Sequence, residues 1–310
     1  ALIQPDRMTI ASLLQNRGYT TGMIGKWHLG FAGGNDFDCS QPLRGGPVDH
    51  GFDYFFGMHA SLDIPPYFYI RDDECAAAPA NTVGDNFSAD EFWTDIQGAF
   101  WRAGKMAPGF NHDDVLPRFR EEAVGYLEDR RRSGDQPFFL YLALTAPHTP
   151  WLPDDKFRGA SDAGLYGDFT VQVDDVVGSV LNTLDRLELT DNTLVVFTSD
   201  NGPVWYDKDE ERFSHHSTGP YRGMKGDIWE GGHRVPFVVR WPGETPAGAV
   251  SDETITFTDM LATFGAILDH DVPESTDSYS LLPVLTGQSY ESPIREVTVH
   301  GGSGYRAIRQ

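Results

Sequence analysis

The sequence is poor in lysine and in cysteine, and it has no long hydrophobic run. Its 310 residues hold 24 lysines and arginines against 46 aspartates and glutamates, which gives a formal net charge of −22. Nucleic acids and anionic membranes are recognised through basic surfaces, so this charge disfavours both as partners. No stretch is long and apolar enough to span a bilayer, and no signal-like apolar run is present.

The two cysteines, Cys39 and Cys75, allow at most one disulfide bond and form no Cys-x-x-Cys site, so they leave the compartment open. The length allows one large α/β domain or two small ones. Because the chain is so acidic, any anionic substrate has to be held by a local group of cations. This makes the positions of the five lysines informative: 26, 105, 156, 208 and 225.

The chain is organised around residues 193–203, which read Thr-Leu-Val-Val-Phe-Thr-Ser-Asp-Asn-Gly-Pro. An apolar run that stops at Asp-Asn-Gly-Pro predicts a buried strand ending in a tight turn. Asp200 and Asn201 then lie at the carboxyl end of that strand, where ligands collect in open α/β sheets. Their oxygens suit Ca²⁺ or Mg²⁺, but they supply half a site, and Asp-Asn-Gly is also ordinary turn chemistry.

Two histidines follow other predicted strands. A strand over 19–25 runs into Gly-Lys-Trp-His-Leu-Gly at 25–30, where Lys26 and His28 share one side of an extended segment. An apolar strand over 137–145, of the kind buried on both faces, precedes His148, which lies between two prolines. Either histidine could have a purely structural role or lie in a solvated loop. However, both follow the end of a predicted strand, as Asp200 does.

A cationic, glycine-rich segment lies at 221–236. It places Lys225 between glycines, with Arg222 and Arg234 nearby, so it can turn tightly and close over an anion. His215 and His216 come just before it, and another buried strand is predicted over 237–241.

The rest of the chain predicts an α/β alternation. Residues 50–57 are predicted to form a loop whose aromatic side chains pack onto the domain. Residues 59–112 are predicted to form an irregular insertion, and insertions of this kind often shape a substrate pocket. Apolar periodicity predicts helices over 9–17, 117–132, 169–187 and 257–268, and strand character recurs at 297–300 and 305–308.

One sheet could bring these polar residues together. The set would combine a site for a hard cation, two ammonium groups for an anion and two imidazoles for proton transfer. That chemistry suits attack on a sulfuryl or phosphoryl ester. The residues concerned are Lys26, His28, His148, Asp200, Asn201 and Lys225.

The chain resembles the sulfatase family of the alkaline-phosphatase superfamily in four segments: 18–30, 147–150, 199–202 and 223–236. The resemblance implies an α/β fold, alkaline-phosphatase-like, with a mostly parallel central sheet and helices on both faces. It also implies hydrolysis of sulfate esters, with a sulfated small molecule or glycan as the substrate, and a protein exported to a periplasm, the extracellular space or a lysosome.

The resemblance also implies roles for single residues. Asp200 and Asn201 would bind Ca²⁺ rather than Mg²⁺, and Lys26 and Lys225 would contact the sulfate. The family uses a formylglycine as nucleophile, which Lys26 would hold and from which His28 would take a proton. His148 would lie by the leaving oxygen, and the further candidates for contact with the substrate are Arg222, Arg234, His215 and His216.

The sequence departs from the family in lacking the Cys-x-Pro-Ser-Arg signature, or its serine form, from which formylglycine is made. Cys39 and Cys75 continue differently, and both follow the 25–30 segment, whereas the family nucleophile precedes it. The paired aspartates of the first strand are missing too. We therefore expect residues 1–310 to be a partial catalytic domain, without its nucleophile helix and most of its C-terminal subdomain, and to be inactive alone.

Two alternatives stay open at this stage. One is a phosphoesterase or phosphonate monoester hydrolase of the same superfamily. The other is a non-catalytic protein that keeps the pocket to bind sulfated glycans.

Overall fold

A computed structural model describes residues 2–88, 93–94, 96–289, 297–302 and 304–309. The chain divides into two compact units, Ala1–Glu188 and Leu189–Gln310, and each is described by itself. No helix among the described residues combines the length and apolar character needed to cross a membrane.

The first unit is built on a five-stranded mixed sheet. The described strands of this unit are β1 Thr20–Lys26, β2 Tyr54–Met58, β3 Ile70–Arg71, β4 Glu74–Cys75, β5 Asn81–Val83, β6 Gly104–Met106 and β7 Phe138–Ala143. In the sheet, β1 is parallel to both β2 and β7, whereas β3 and β4 extend it as antiparallel strands in the order β4-β3-β2-β1-β7. A parallel core flanked by helices confirms the predicted α/β class.

The α-helices found among the described residues of this unit are α1 Ile10–Asn16, α2 Val115–Arg132 and α3 Gly164–Arg186. The first begins in a capping box, in which Thr9 and Ser12 each accept a hydrogen bond from the other's backbone N–H. The second packs on β1 through Tyr126, whose ring would lie 2.6 Å from a side chain added at Gly22. All three helices were predicted from their apolar periodicity.

The strand β2 was missed by the sequence analysis, which predicted a loop there. It lies between β1 and β3 and buries Phe55 and Phe56. Its glycine explains the close approach of the strands, since a Cβ at Gly57 would lie 1.8 Å from the backbone oxygen of Gly25. Aromatic residues next to glycine fit a tightly paired strand as well as a packed loop, and local pattern does not separate the two.

The prediction that β7 is buried on both faces is wrong. It forms an edge of the five-stranded sheet, with β1 on one side, and Tyr141 is 49% exposed. An apolar run predicts that a strand is present. Burial on both faces also requires other elements to cover each face of the sheet, and the run does not encode these.

The insertion at 59–112 contains more regular structure than predicted. Two short strands, β3 and β4, join the main sheet, and β5 pairs with β6 as a separate antiparallel ribbon. A disulfide bond between Cys39 and Cys75 ties the preceding loop to β4. The bridge that the cysteine count left open is therefore present.

Within the insertion, His112 lies 5% exposed against Trp101, with the ring centroids 4.4 Å apart. Burial lowers the pKa of His112 from 6.5 to about 4. The unfolded chain then binds a proton between pH 6.5 and 4 that the folded chain does not, so folding stability should fall by roughly 3 kcal/mol over this window.

Replacing His112 with phenylalanine, which keeps a stacked ring, is expected to reduce this fall in stability by the contribution of His112, whereas the contribution of the buried His59 remains. The measurement is the free energy of unfolding in urea at intervals from pH 7 to pH 4, for the natural sequence and His112→Phe. The exposed His233→Phe serves as the control and should leave the slope unchanged. Parallel stability curves for the natural sequence and His112→Phe would show that His112 titrates normally in the folded protein.

The second unit holds two antiparallel pairs. The strand β8 Val195–Thr198 pairs with β9 Phe237–Arg240, and β10 Val297–His300 pairs with β11 Arg306–Arg309. The helices are α4 Asp207–Phe213, α5 Glu230–His233, α6 Asp259–Ile267 and α7 Leu282–Leu285.

The predictions of buried strands in this unit are wrong in the same way as for β7. Among the described residues β8 pairs only with β9, and both keep exposed apolar side chains, with Phe197 39% and Val238 59% exposed. The strands lie where predicted, because β-branched runs bounded by turns mark them well. Their neighbours in the sheet could not be read from the runs.

Candidate active site

Lys26 and His28 lie at the carboxyl end of β1. Lys26 is the last residue of the strand and pairs with Met58 of β2, and the His28 backbone N–H continues this contact by donating to the oxygen of His59 at 2.9 Å. His28 has φ of +58°, in the left-handed region. The expectation of one extended segment through both residues therefore fails at His28, where the chain turns. Non-glycine residues in this region are uncommon and cluster at functional sites.

The ring of His28 is oriented by Ser61, which lies just past the end of β2 and is 2% exposed. The backbone N–H of Ser61 donates to Nδ1 of His28 at 3.2 Å. Because Nδ1 accepts this bond, the proton of the neutral ring is on Nε2. His28 therefore presents a hydrogen-bond donor at Nε2.

His148 follows β7, the parallel neighbour of β1 on its other side. Its Nδ1 lies 2.7 Å from the carbonyl oxygen of Thr149, an acceptor, so Nδ1 carries a proton. Nε2 is then the atom that can accept a proton or, in the imidazolium, donate one. Asp63 faces the same nitrogen, with Oδ1 3.8 Å from Nδ1.

The two histidines thus converge on one short segment, 61–63. Ser61 contacts His28 and Asp63 faces His148, although the histidines belong to different strand ends. The sequence analysis missed Ser61 and Asp63, because β2 was not recognised as a strand. Had it been, polar residues just past a third strand end would have been the signal.

A third histidine of this region, His59, is structural. It is 4% exposed and stacked on Phe68, and its Nε2 lies 3.0 Å from the oxygen of Pro66. Burial is the main reason that the pKa of His59 falls to about 4. A ring that stays neutral at neutral pH, with Nε2 committed to a carbonyl, is unsuited to proton transfer.

In the second unit, Asp200 and Asn201 follow β8 in the predicted turn. The side-chain amide of Asn201 donates to Oδ1 of Asp200. The turn packs on α5, since Gly202 N–H donates to the oxygen of Gly232 at 3.0 Å and a Cβ on Gly202 would lie 1.9 Å from the oxygen of Gly231. Glycine is required there by this backbone contact.

The loop that carries Lys225 lies against the same turn. Lys225 N–H donates to the oxygen of Pro203 at 2.8 Å, and Gly231 N–H donates to the oxygen of Arg222 at 2.9 Å. The backbone of the cationic loop is therefore held beside the turn that bears Asp200 and Asn201, and the Lys225 side chain is exposed.

The other candidate substrate contacts are each engaged within this unit. The guanidinium of Arg222 lies 3.9 Å from the ring centroid of Trp229, which is 43% exposed. Arg234 pairs with Glu230 at 3.2 Å. His216 pairs through Nδ1 with Glu210 of α4 at 3.0 Å, and the His215 carbonyl accepts from Trp205 at 2.8 Å.

The predicted site residues fall in both units. Lys26, His28 and His148 belong to the first, and the second holds Asp200, Asn201, Arg222, His216 and Lys225. Within the first unit the structure places the histidines beside segment 61–63, and within the second it places the lysine loop beside the Asp-Asn turn.

Asp200 and Asn201 fit a calcium ion in the chemistry of their donors, since Ca²⁺ takes six to eight oxygens from carboxylates and amides. Among the described residues no group of three or more histidine, cysteine, aspartate or glutamate side chains could hold a metal. The pair offers two of the oxygens that such an ion takes. Neither cysteine fits a formylglycine, because both form the disulfide and neither lies in the required signature.

Comparisons with known proteins identify the family of the chain. A family model for sulfatases matches residues 2–270. The chain is 32% identical to an N-acetylgalactosamine-6-O-sulfatase of Bacteroides thetaiotaomicron, covering 94% of this chain and 62% of that protein. It is 33% identical to a steryl-sulfatase of Mus musculus, covering 99% of this chain and 55% of that protein. The chain thus spans little more than half the length of these relatives.

A solved structure gives the same result for the fold. A Bacteroides thetaiotaomicron protein, described in connection with the metabolism of glycosaminoglycans, superposes with a TM-score of 0.84 at 29% identity. The match covers all of this chain and 70% of that one. The resemblance drawn from the four segments and the predicted α/β class are confirmed.

Proposed function

Because the chain belongs to the sulfatase family, we propose that the protein to which it belongs hydrolyses sulfate esters to an alcohol and inorganic sulfate. The observation that carries the proposal is the convergence of His28 and His148, from separate strand ends, on segment 61–63. Proton donors and acceptors held in this way suit an ester whose leaving oxygen has to be protonated.

Within the first unit, we assign the proton transfer to His148 and an anion contact to His28. In the neutral His148 ring Nε2 is the unprotonated nitrogen, because Nδ1–H donates a hydrogen bond to the oxygen of Thr149. His28 offers Nε2–H, which suits a negatively charged oxygen. The proton-accepting role that the resemblance implies for His28 remains a prediction. Lys26, at the end of β1, is proposed to contact the sulfate, since an ammonium group stabilises its negative oxygens.

Within the second unit, Asp200 and Asn201 are proposed to hold Ca²⁺, and Lys225 and Arg222 to contact the sulfate or the rest of the substrate. When bound, the ion supplies positive charge that stabilises the oxygens of a sulfuryl group. The support is the pair of hard oxygen donors in a turn that the cationic loop contacts through its backbone. His216, paired with Glu210, has weaker support as a substrate contact.

For the substrate we propose a sulfated small molecule or glycan. The relatives are named for an amino-sugar sulfate and for steryl sulfates, and these fall in that class. Export is proposed as well. The disulfide between Cys39 and Cys75 supports it, because such bonds persist in oxidising compartments. The expectation that residues 1–310 alone are inactive stays a prediction, consistent with the lack of a residue that fits formylglycine.

The direct test compares three esters of one phenol, the sulfate, the phosphate and the methylphosphonate, as substrates of the natural protein that contains these residues. We expect kcat/KM to be highest for the sulfate by at least about tenfold. A preference for the phosphate or the phosphonate would instead identify a phosphoesterase. Binding of the sulfate without turnover of any ester would identify a sulfate-binding protein.

A further inference from the structure

We propose that Asp63 is a positioning residue for His148: its buried carboxylate favours the tautomer of the imidazole in which Nδ1 carries the proton and Nε2 is unprotonated. The inference rests on the proposed function for its catalytic consequence. Its structural content, the orientation and protonation of the His148 ring, can be tested without turnover.

The carboxylate of Asp63 is fixed on one side. Its Oδ2 accepts a hydrogen bond from Nη1 of Arg102, and the Arg102 backbone N–H donates to the Asp63 carbonyl oxygen at 3.2 Å. Tyr67 links the two residues, because its hydroxyl donates to the backbone carbonyl oxygens of Asp63, at 3.1 Å, and of Arg102, at 2.7 Å. Asp63 is 5% exposed, so this clamp holds a buried charge in one place.

The other oxygen of Asp63 points at His148. Oδ1 is buried without a hydrogen-bond partner, and it lies 3.8 Å from Nδ1 of His148. A buried carboxylate oxygen without a donor is costly, so its position calls for an explanation. The nearby Nδ1–H, which already donates to Thr149, is a favourable electrostatic neighbour for it.

The backbone around His148 is tied to the same insertion. Thr149 Oγ1 and Trp151 N–H both donate to the oxygen of Gly98, at 2.9 and 2.8 Å. The His148 loop and Asp63 therefore hold their relative position through two separate attachments. A carboxylate beside Nδ1 favours the ring with a proton on that nitrogen, and it stabilises the imidazolium that could protonate a leaving oxygen at Nε2.

The structural test uses ¹⁵N-histidine NMR of the natural protein and of Asp63→Asn, which removes the charge but keeps the shape. We expect the neutral His148 ring of the natural protein to carry its proton on Nδ1, and that of Asp63→Asn to show a mixture of both tautomers. The matched control is Asp168→Asn, a 4% exposed aspartate that accepts from two backbone N–H groups elsewhere in the unit. The same tautomer in all three proteins would overturn the proposal.

The kinetic test compares a phenyl sulfate with a good leaving group, 4-nitrophenol, and an alkyl sulfate with a poor one. A proton donor matters more for the poor leaving group. Asp63→Asn should therefore lower kcat for the alkyl sulfate by about 100-fold and kcat for 4-nitrophenyl sulfate by less than about 10-fold, with KM unchanged for both esters. Asp63→Asn should add no loss to His148→Gln. Equal losses for both esters, or additive losses, would contradict the proposal.

The two proposals fail differently. Absence of sulfate ester turnover by the natural protein would remove the proposed function, and the NMR comparison would still decide on Asp63. If Asp63→Asn folds poorly, Asp63→Ser provides a second route, because it also removes the charge beside Nδ1 and should shift the His148 tautomer in the same direction. An unchanged tautomer in a folded Asp63→Ser would also count against the proposal.

Discussion

Replacing Lys225 with alanine is expected to lower kcat/KM for sulfate esters by about 100- to 1000-fold, and Lys26→Ala by a similar factor. Each ammonium group is proposed to face the charge that builds up on the sulfuryl oxygens, and the strongly acidic chain has few cations to replace it. The measurement is initial rate against substrate concentration for each variant of the natural protein.

The control for both variants is Lys105→Ala, which removes a side chain of the same charge from β6, exposed as that of Lys225 is. It should leave kcat/KM within a factor of about two, since exposed charges away from the reacting groups contribute little. A loss of less than 10-fold in Lys225→Ala and Lys26→Ala, or an equal loss in Lys105→Ala, would mean that general charge, and no specific contact, explains the role of the lysines.

Replacing Asp200 with alanine is expected to raise the Ca²⁺ concentration needed for half-maximal activity by at least about 100-fold. Loss of a group that merely orients a metal ligand already costs 10- to 100-fold in metal affinity, and a ligand should cost no less. The measurement is activity after chelation and titration with Ca²⁺, together with calorimetric Ca²⁺ binding, which does not require turnover.

Asp191→Asn is the matched control, because Asp191 is an exposed acid in the same unit. It should leave the Ca²⁺ titration unchanged. Asn201→Ala should weaken binding less than Asp200→Ala, since a neutral amide oxygen contributes less than a carboxylate. Calcium binding that is equal in Asp200→Ala and in the natural protein would rule out Asp200 as a ligand.

The parts of the site that could be predicted share one property. Lys26, His28, His148 and Asp200 each lie at or just past the end of a strand that the sequence pattern predicts, so the strand end locates the residue. The placement of the Lys225 loop beside the Asp-Asn turn depends on the backbone hydrogen bond from Lys225 N–H to the oxygen of Pro203, which local pattern does not specify.

The parts that could not be predicted depend on tertiary contacts. Ser61 and Asp63 come after β2, where the aromatic and glycine pattern predicts a loop. Their contacts with two histidines could therefore not be predicted from the sequence. The carbonyl of Thr149 and the carboxylate of Asp63 both lie near Nδ1 of His148, and no sequence pattern encodes that geometry. The disulfide between Cys39 and Cys75 depends likewise on a fold that brings a loop to β4.

The most direct test of sulfate ester hydrolysis is the fate of oxygen from water. The natural protein would turn over an alkyl sulfate in ¹⁸O-labelled water, and both products would be analysed by mass spectrometry. Attack at sulfur predicts label in the released sulfate and none in the alcohol. Label in the alcohol, or no release of sulfate, would contradict the account.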